Sequence, residues 1–328
     1  MINAGLNGFG RFGQHLLRYW LEHIDDAKFE ISYINDPSLS LEAAYQILTS
    51  DSYLGSYFKA KVHIETDGFS IIQNRKKFKI IYTNSKDTEI EWLGIPRLFF
   101  ECSGKNTDAE NARNFITANT ELVIISATSL NADQTLIYGH NHQDFTPNHV
   151  IVSYGSCTVN AYVPLADYIN QQYGVIDSSV DVIHNIPEYL AASQSTLTRK
   201  LCTLQVVAPK LLDFISKDNF NVNYTLIPYT GVSMIDFRFR IKTVPNPVVF
   251  IKELQKVISQ GSLHGLYELL PSDLGPEAHK FSRYSSALIE SGIKIVGDNL
   301  YMQAYFDNEN SVNRYYDLVE HIITMLKY

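Results

Sequence analysis

The sequence predicts two domains: an N-terminal α/β domain on a doubly wound parallel sheet and a C-terminal α+β domain on an antiparallel sheet. Three observations carry this. The chain has 328 residues, about twice the length of a typical domain. Up to about residue 155, short apolar runs alternate with helical patterns, the texture of a mainly parallel sheet. Beyond that point the apolar runs lengthen and alternate, as in antiparallel strands with one covered face.

In the first half, residues 2–6, 30–34, 97–101, 122–126 and 149–153 are short runs of mostly β-branched or aromatic residues and are expected to be strands. Between the first two, Leu16, Leu17, Trp20, Leu21 and Ile24 fall at helical spacing over 12–24, and 108–118 reads as a further helix. Looser alternation over 57–72 and 77–82 fits an antiparallel edge. In the second half, 222–228, 232–242 and 293–306 read as strands, the last folding back at the hairpin turn Gly297-Asp298-Asn299. Pro247 opens a helix over 246–259 that carries Val249, Ile251, Leu254 and Ile258. Val312, Tyr315, Val319, Ile322, Ile323 and Leu326 form the apolar stripe of a final helix. The expected domains are 1–156 and 157–308.

Composition narrows the class. With 45% apolar and 19% charged residues, a disordered or fibrous chain is excluded. The 27 Lys and Arg against 35 Asp and Glu leave a net charge of −8, which argues against nucleic acid or an anionic membrane as the main partner. Cys102, Cys157 and Cys202 are a sparse, odd set without a CxxC, so neither a disulfide scaffold nor a metal site is expected. No positively charged leader opens the chain, and no apolar run approaches the roughly 20 residues that span a bilayer. The expectation is a soluble, cytoplasmic protein with neither a nucleic-acid nor a membrane partner.

Gly8-Phe9-Gly10-Arg11-Phe12-Gly13 follows the first expected strand and opens the first helix. Glycines suit such a turn: one permits the bend, one lets backbone approach a pyrophosphate, and one lets helix and sheet pack closely. The N–H groups of the helix start then face the anion. Asp36 ends the second strand, 23 residues after Gly13, where a carboxylate accepts hydrogen bonds from an adenosine ribose. This is the pattern of a Rossmann-type dinucleotide-binding domain.

A second chemistry begins at Ser156-Cys157-Thr158-Val159-Asn160, between a buried-looking strand and a helix. Cys157 thus sits at a helix N-terminus, where the dipole favours thiolate over thiol. His184 closes the apolar run Val180-Asp181-Val182-Ile183, and an adjacent imidazole activates a thiol by taking its proton. Cys102 and Cys202 read as core residues.

These residues together carry a family resemblance. Asn7 to Gly13, Ile34 to Asp36, the pentapeptide Ser156 to Asn160, His184 at 27 residues from Cys157, and Tyr305 to Glu309 resemble phosphorylating glyceraldehyde-3-phosphate dehydrogenase. Glu101 to Gly104, Ile125 to Ala127 and Gly139 to Asn141 extend the match over nearly the whole chain. The resemblance implies NAD as cofactor, held by Asn7, Gly8, Gly10, Arg11, Phe12, Asp36, Ser103, Ser126 and Asn308. It implies catalysis by Cys157 and His184 through a thiohemiacetal and a thioester, which phosphate or water then attacks. Ser156, Thr158, Thr203 and Arg199 are the implied substrate contacts. A homo-oligomer, tetramer or dimer, and a final helix over 309–328 packing back on the nucleotide domain are also implied.

The sequence departs from that family where the substrate's phosphate would bind. Pro187 stands where the family has a threonine three residues after the histidine, and Leu226 where it has an arginine. The segment between His184 and Pro228 is about thirteen residues short of the family pattern. Cys202-Thr203 and the run 204–209 compete for the inorganic-phosphate threonine, and Arg199 and Lys200 are the cations that remain to serve a phosphate. The aldehyde therefore stays open among a triose phosphate, a longer sugar phosphate such as erythrose 4-phosphate, and an aldehyde without phosphate. An NAD-binding regulatory paralogue is the competing class, against which the presence of Cys157, His184 and Asn308 together argues.

Overall fold

The computed structural model describes residues 1–50, 60–186, 199–229, 232–307 and 311–327. Two compact units divide them. The first holds Met1–Tyr138, His142–Gly155 and Tyr315–Tyr328; the second holds Gly139–Asn141 and Ser156–Arg314.

The first unit is built on a nine-stranded sheet in the order β3-β4-β5-β2-β1-β6-β7-β9-β8. Its centre is β1 (Ile2–Asn7), flanked in parallel by β2 (Phe29–Asn35) and β6 (Leu98–Glu101). β7 (Leu122–Ile125), β9 (Ile151–Ser153) and the two-residue β8 (Gln134–Thr135) continue the parallel set. Strand order reverses about β1, so the carboxyl ends of β1 and β6 border the crevice where such sheets bind ligands. β3 (Lys61–Glu65), β4 (Gly68–Gln73) and β5 (Lys76–Thr83) form the antiparallel edge, with β5 joining β2 in parallel. The expected strand over 57–72 is thus two strands of a hairpin, and its first residues lie outside the described ones.

Helix α1 (Arg11–Glu22) buries Leu16, Leu17, Trp20 and Leu21, and the Trp20 indole donates to the Phe29 carbonyl at 2.8 Å. Each such side chain contributes roughly 1.5–3 kcal/mol on burial. Helix α2 (Leu41–Ser50) is not among the expected elements. The helix expected over 108–118 is much shorter: α3 spans Ala109–Arg113, capped by the Asp108 carboxylate at the Glu110 N–H. Beyond it Phe115 turns in to stack on Phe99 at 4.3 Å, and Ala118 is left-handed at φ 49°. Core packing has cut the helix short.

The second unit carries a six-stranded sheet in the order β11-β10-β12-β15-β14-β13. Its strands are β10 (Val175–Ile186), β11 (Phe220–Pro228), β12 (Val232–Ile241), β13 (Tyr267–Leu270), β14 (Ser286–Val296) and β15 (Asn299–Asp307). The four central strands are antiparallel, but β11 joins β10 and β13 joins β14 in parallel, so the sheet is mixed rather than purely antiparallel. β14 and β15 turn at Gly297-Asp298, with Gly297 at φ 61°, which a side chain would strain. Three helices accompany it: α4 (Cys157–Tyr173), α5 (Thr203–Leu211) and α6 (Pro247–Gln260), the last capped by Asn246. On α4 the fully buried Tyr162 stacks on Phe239 at 5.8 Å and lies 5.0 Å from Phe220.

The final helix, α7 (Ser311–Met325), runs into the first unit from Tyr315 on. There the Tyr315 hydroxyl donates to the Ile124 carbonyl at 2.8 Å, and its ring meets Phe12 and Tyr154 edge-on at 5.4 and 5.5 Å. Among the described residues, no helix is long and apolar enough to cross a membrane.

One contact in the second unit governs α4. Pro164 lies inside this helix and supplies no N–H to the Asn160 carbonyl. The buried Tyr267 hydroxyl enters the ladder there, accepting from the Leu165 N–H at 3.1 Å and donating to the Ala161 carbonyl at 2.8 Å. Tyr267→Phe leaves those buried groups without this partner, so a loss of about 1–3 kcal/mol is expected. Chemical denaturation checks it, and thiol reactivity at the helix start should change in the same variant.

Candidate active site

The glycine loop of the first unit divides the three tasks its pattern suggests. Gly8 has φ 93° and lies against the Ser103 backbone, where any Cβ would collide. Gly13 lies against the Gly8 carbonyl, holding α1 close to β1. Above Gly10 there is nothing within 4 Å, so this is the glycine that backbone-approaching phosphate can use. The ladder of α1 begins at the Gln14 N–H to the Gly10 carbonyl, so the N–H groups of Arg11, Phe12 and Gly13 precede it at the helix start. The Phe12 ring is committed to Tyr154 and Tyr315, which leaves its backbone as the part suited to an anion.

Asp36 does more than the ribose reading allows. Its Oδ2 accepts the Phe9 N–H at 2.7 Å, and its Oδ1 accepts the Ser38 N–H at 2.8 Å and the Ser38 hydroxyl at 2.7 Å. Three of about four acceptor positions are therefore filled by the loop itself. Asn7 is likewise engaged: its amide donates to Glu101 Oε2 at 2.8 Å and Asp87 Oδ1 at 3.1 Å, and its oxygen accepts from Asn35 at 2.9 Å. Glu101 also accepts the Ser103 N–H and hydroxyl and the Asn106 amide. Burial pushes its carboxyl up while these donors pull it down. Asn7, Asp36, Ser103 and Ser126 sit at or just past the ends of β1, β2, β6 and β7, four adjacent strands. These residues fit a dinucleotide, with open backbone at Gly10 and a braced carboxylate at Asp36. Asn308 lies outside the described residues.

In the second unit the Ser156 hydroxyl caps α4 by accepting the Val159 N–H, which places Cys157 in the first helical position. Its Sγ lies 3.6 Å from His184 Nε2. The other ring nitrogen, Nδ1, is 2.8 Å from the Asn185 carbonyl, which can only accept, so Nδ1 carries the proton and Nε2 offers its lone pair to the thiol. Asn185 is itself fixed: its N–H donates to Ser233 Oγ and its side-chain oxygen accepts from that hydroxyl, each at 3.0 Å. Asn185 and Ser233 are absent from the sequence reading; polar residues inside two apolar strands were the available signal. Desolvation lowers His184 to about 4 against the ordinary 6.5, the Asn185 carbonyl opposing it. The imidazole is thus a neutral base at pH 7.

The structure brings the hydroxyls of Ser156, Thr158 and Thr203 together at the start of α4. Thr203 Oγ1 donates to Ser156 Oγ at 3.4 Å, and Ser156 and Thr158 hydroxyls lie 3.2 Å apart. Thr158 Oγ1 is 3.5 Å from Cys202 Sγ. Arg199 is not brought there. It pairs with Thr225, whose side chain alternates to the face opposite Tyr224 and Leu226, whereas Leu226 pairs with His184 and shares its face. Leu226 is 4% exposed, so a packed apolar side chain occupies the position next to His184. Pro187 lies outside the described residues. Among the described residues no group of three or more His, Cys, Asp or Glu could hold a metal.

Residues 2–109 match the family described as "Glyceraldehyde 3-phosphate dehydrogenase, NAD binding domain". Glyceraldehyde-3-phosphate dehydrogenase 2 of Trichormus variabilis is 29% identical over 94% of this chain and 94% of its own length. The glyceraldehyde-3-phosphate dehydrogenase of Sclerotinia sclerotiorum is 27% identical over 95% of this chain and 94% of its own. The chain is a divergent member of the glyceraldehyde-3-phosphate dehydrogenase family. The Arabidopsis thaliana chloroplastic relative GAPB, 27% identical over 94% of this chain and 71% of its own, belongs with it. Family membership makes the protein a glyceraldehyde-3-phosphate dehydrogenase-like oxidoreductase with NAD as its cofactor.

Two outcomes are expected from this geometry. Cys102 and Cys202 are buried and burial pushes both thiols up, whereas Cys157 is only partly covered. Limiting iodoacetamide followed by peptide mapping should find Cys157 labelled first, and His184→Asn should slow that labelling. Secondly, His184 titrates at about 4 when folded against 6.5 when unfolded. Its contribution to stability is whole above about pH 6.5 and is lost as pH falls towards 4. The stability difference between wild type and His184→Gln, measured by urea unfolding, should shrink or reverse across that window.

Proposed function

We propose that the chain oxidises an aldehyde with NAD through covalent attack by Cys157. The observation that carries this is the 3.6 Å approach of Cys157 Sγ to His184 Nε2, with Nδ1 fixed on the Asn185 carbonyl. Cys157 Sγ adds to the aldehyde carbon while His184 Nε2 takes the thiol proton. The Cys157 N–H and the newly protonated imidazole then face the developing oxyanion. The imidazolium gives its proton to that oxygen, completing the thiohemiacetal, and His184 takes it back as the carbonyl re-forms with loss of hydride, leaving a thioester on Cys157. NAD, when bound, accepts the hydride that the hemiacetal carbon gives up. Gly10, the start of α1, Asp36, Ser103, Ser126 and Asn308 are the residues that would hold it. Phosphate attacking the thioester carbonyl breaks the C–S bond and releases an acyl phosphate, or water in its place the acid, and Cys157 leaves as thiolate. Ser156, Thr158 and Thr203 offer hydroxyls to the attacking group.

The substrate end is where this member differs. A phosphate dianion favours a forked arginine, and Leu226 provides no donor beside His184. Losing such a partner costs on the order of 1.5–3 kcal/mol, or about ten- to a hundredfold in binding. Glyceraldehyde 3-phosphate is therefore expected to be used with a high KM. We further propose a homo-oligomer, by likeness to the family, working in the cytoplasm.

NAD reduction over a panel of phosphorylated and unphosphorylated aldehydes, with and without inorganic phosphate, tests the reading. Cys157→Ser should abolish turnover while NAD still binds. Absence of aldehyde-dependent NAD reduction in a folded, NAD-binding protein would favour the regulatory paralogue instead. NADP should support much lower kcat/KM than NAD, because Asp36, braced at the end of β2, meets a 2′-phosphate with like charge; steady-state kinetics with both cofactors checks this.

A further inference from the structure

The sequence offers two adjacent cations, Arg199 and Lys200, either of which could serve a phosphate, and sheet register separates them. Arg199 forms an antiparallel bridge with Thr225 on the free edge of β11. The next hydrogen bond, Lys200 N–H to the Tyr224 carbonyl at 3.1 Å, sets Lys200 opposite Tyr224. Paired residues of antiparallel strands share a face, and successive residues alternate. Thr225 shares its row with Ile183, on the outer face of the sheet; Tyr224 and Leu226 share theirs with Val182 and His184. Arg199 therefore belongs to the face away from the thiol, and Lys200 to the face that carries His184.

Among the described residues of these strands, that face carries no Lys or Arg. Its described residues on β10, β11, β12 and β15 include Val180, Val182, Tyr224, Leu226, Ile235 and Phe306, whereas Arg238 and Arg240 occupy alternate positions on the other face. The Tyr224 ring lies 5.3 Å from the His184 ring, so the row that Lys200 extends borders the catalytic imidazole. Three residues on, Thr203 opens α5 and donates to Ser156 beside Cys157. Lys200 is exposed and makes no ion pair among the described residues. Its ammonium is a compact charge on a flexible four-carbon stem, able to swing over Tyr224 where a fixed fork at Leu226 is missing.

We propose that Lys200 is the phosphate-binding cation of this active site and that Arg199 takes no part. The inference rests on the aldehyde-dehydrogenase reading above. The phosphate it meets is either the ester at the far end of the aldehyde or the free anion that attacks the thioester. A lysine supplies a point charge without bidentate geometry, so the phosphate it holds is bound more weakly than by a forked arginine.

The test uses the full-length protein and the variants Lys200→Met, Lys200→Arg and Arg199→Met. With saturating NAD, KM is measured for glyceraldehyde 3-phosphate, for glyceraldehyde, and for inorganic phosphate. Lys200→Met should raise the KM ratio of glyceraldehyde 3-phosphate to glyceraldehyde by about tenfold or more if the ester is the ligand. It should raise the KM for inorganic phosphate by a similar factor if the free anion is. Lys200→Arg should restore most of either effect, and Arg199→Met should leave both ratios at the wild-type value. A second readout needs no turnover: inorganic phosphate, against chloride at equal ionic strength, should protect Cys157 from iodoacetamide in wild type and not in Lys200→Met. If no variant oxidises any aldehyde yet this protection depends on Lys200, the parent reading fails and the assignment stands. Unchanged KM values and unchanged protection in Lys200→Met, or an equal loss in Arg199→Met, overturn the assignment.

Discussion

The contact between Cys157 Sγ and His184 Nε2, at 3.6 Å, is the constraint that the second unit is arranged to meet. One partner stands on the first turn of a helix and the other within a strand, so the distance holds only if helix and sheet are each anchored. Ser156 ties the start of α4, and Tyr267 repairs its ladder where Pro164 interrupts it. On the sheet side, Ser233 holds Asn185, whose carbonyl orients the imidazole. Tautomer, base strength and reach of His184 thus follow from groups that never touch the thiol.

The first unit meets a comparable demand differently. A loop that admits phosphate needs open backbone, and open backbone is prone to collapse. Here Gly10 is open while everything beneath it is bound: Phe9 N–H to Asp36, Asn7 to Glu101, Ser103 to Glu101, and Gly8 packed against Ser103. Buried carboxylates without a cation persist because N–H and O–H donors surround them. The Glu101 carboxylate, through Asn7, Ser103 and Asn106, ties together the ends of β1 and β6.

Specificity turns on the two-residue period of strands. Leu226 and Tyr224 face His184 while Thr225 faces away, and one step along the neighbouring segment exchanges Arg199 for Lys200. A one-residue slip at that edge would swap the two cations between faces.

The sequence by itself determined the two fold classes, the glycine loop, the pairing of Cys157 with His184 across 27 residues, and the absence of an arginine at Leu226. These are legible because glycine spacing, helix-start residues and the order of motifs are local or carry a family pattern. It misjudged the helix over 108–118, which Phe115 ends by stacking on Phe99, and the edges of the second sheet, where β11 and β13 run parallel to their neighbours. It placed Asp36 at the ribose and Arg199 among the substrate contacts without the hydrogen bonds that brace the first or the strand register that sets the face of the second. Tertiary structure alone decided these points, together with the parts played by Asn185, Ser233 and Tyr267. Each depends on which distant backbone group or strand lies opposite a residue, and burial, register and hydrogen-bond closure are properties of the folded chain that no local pattern encodes.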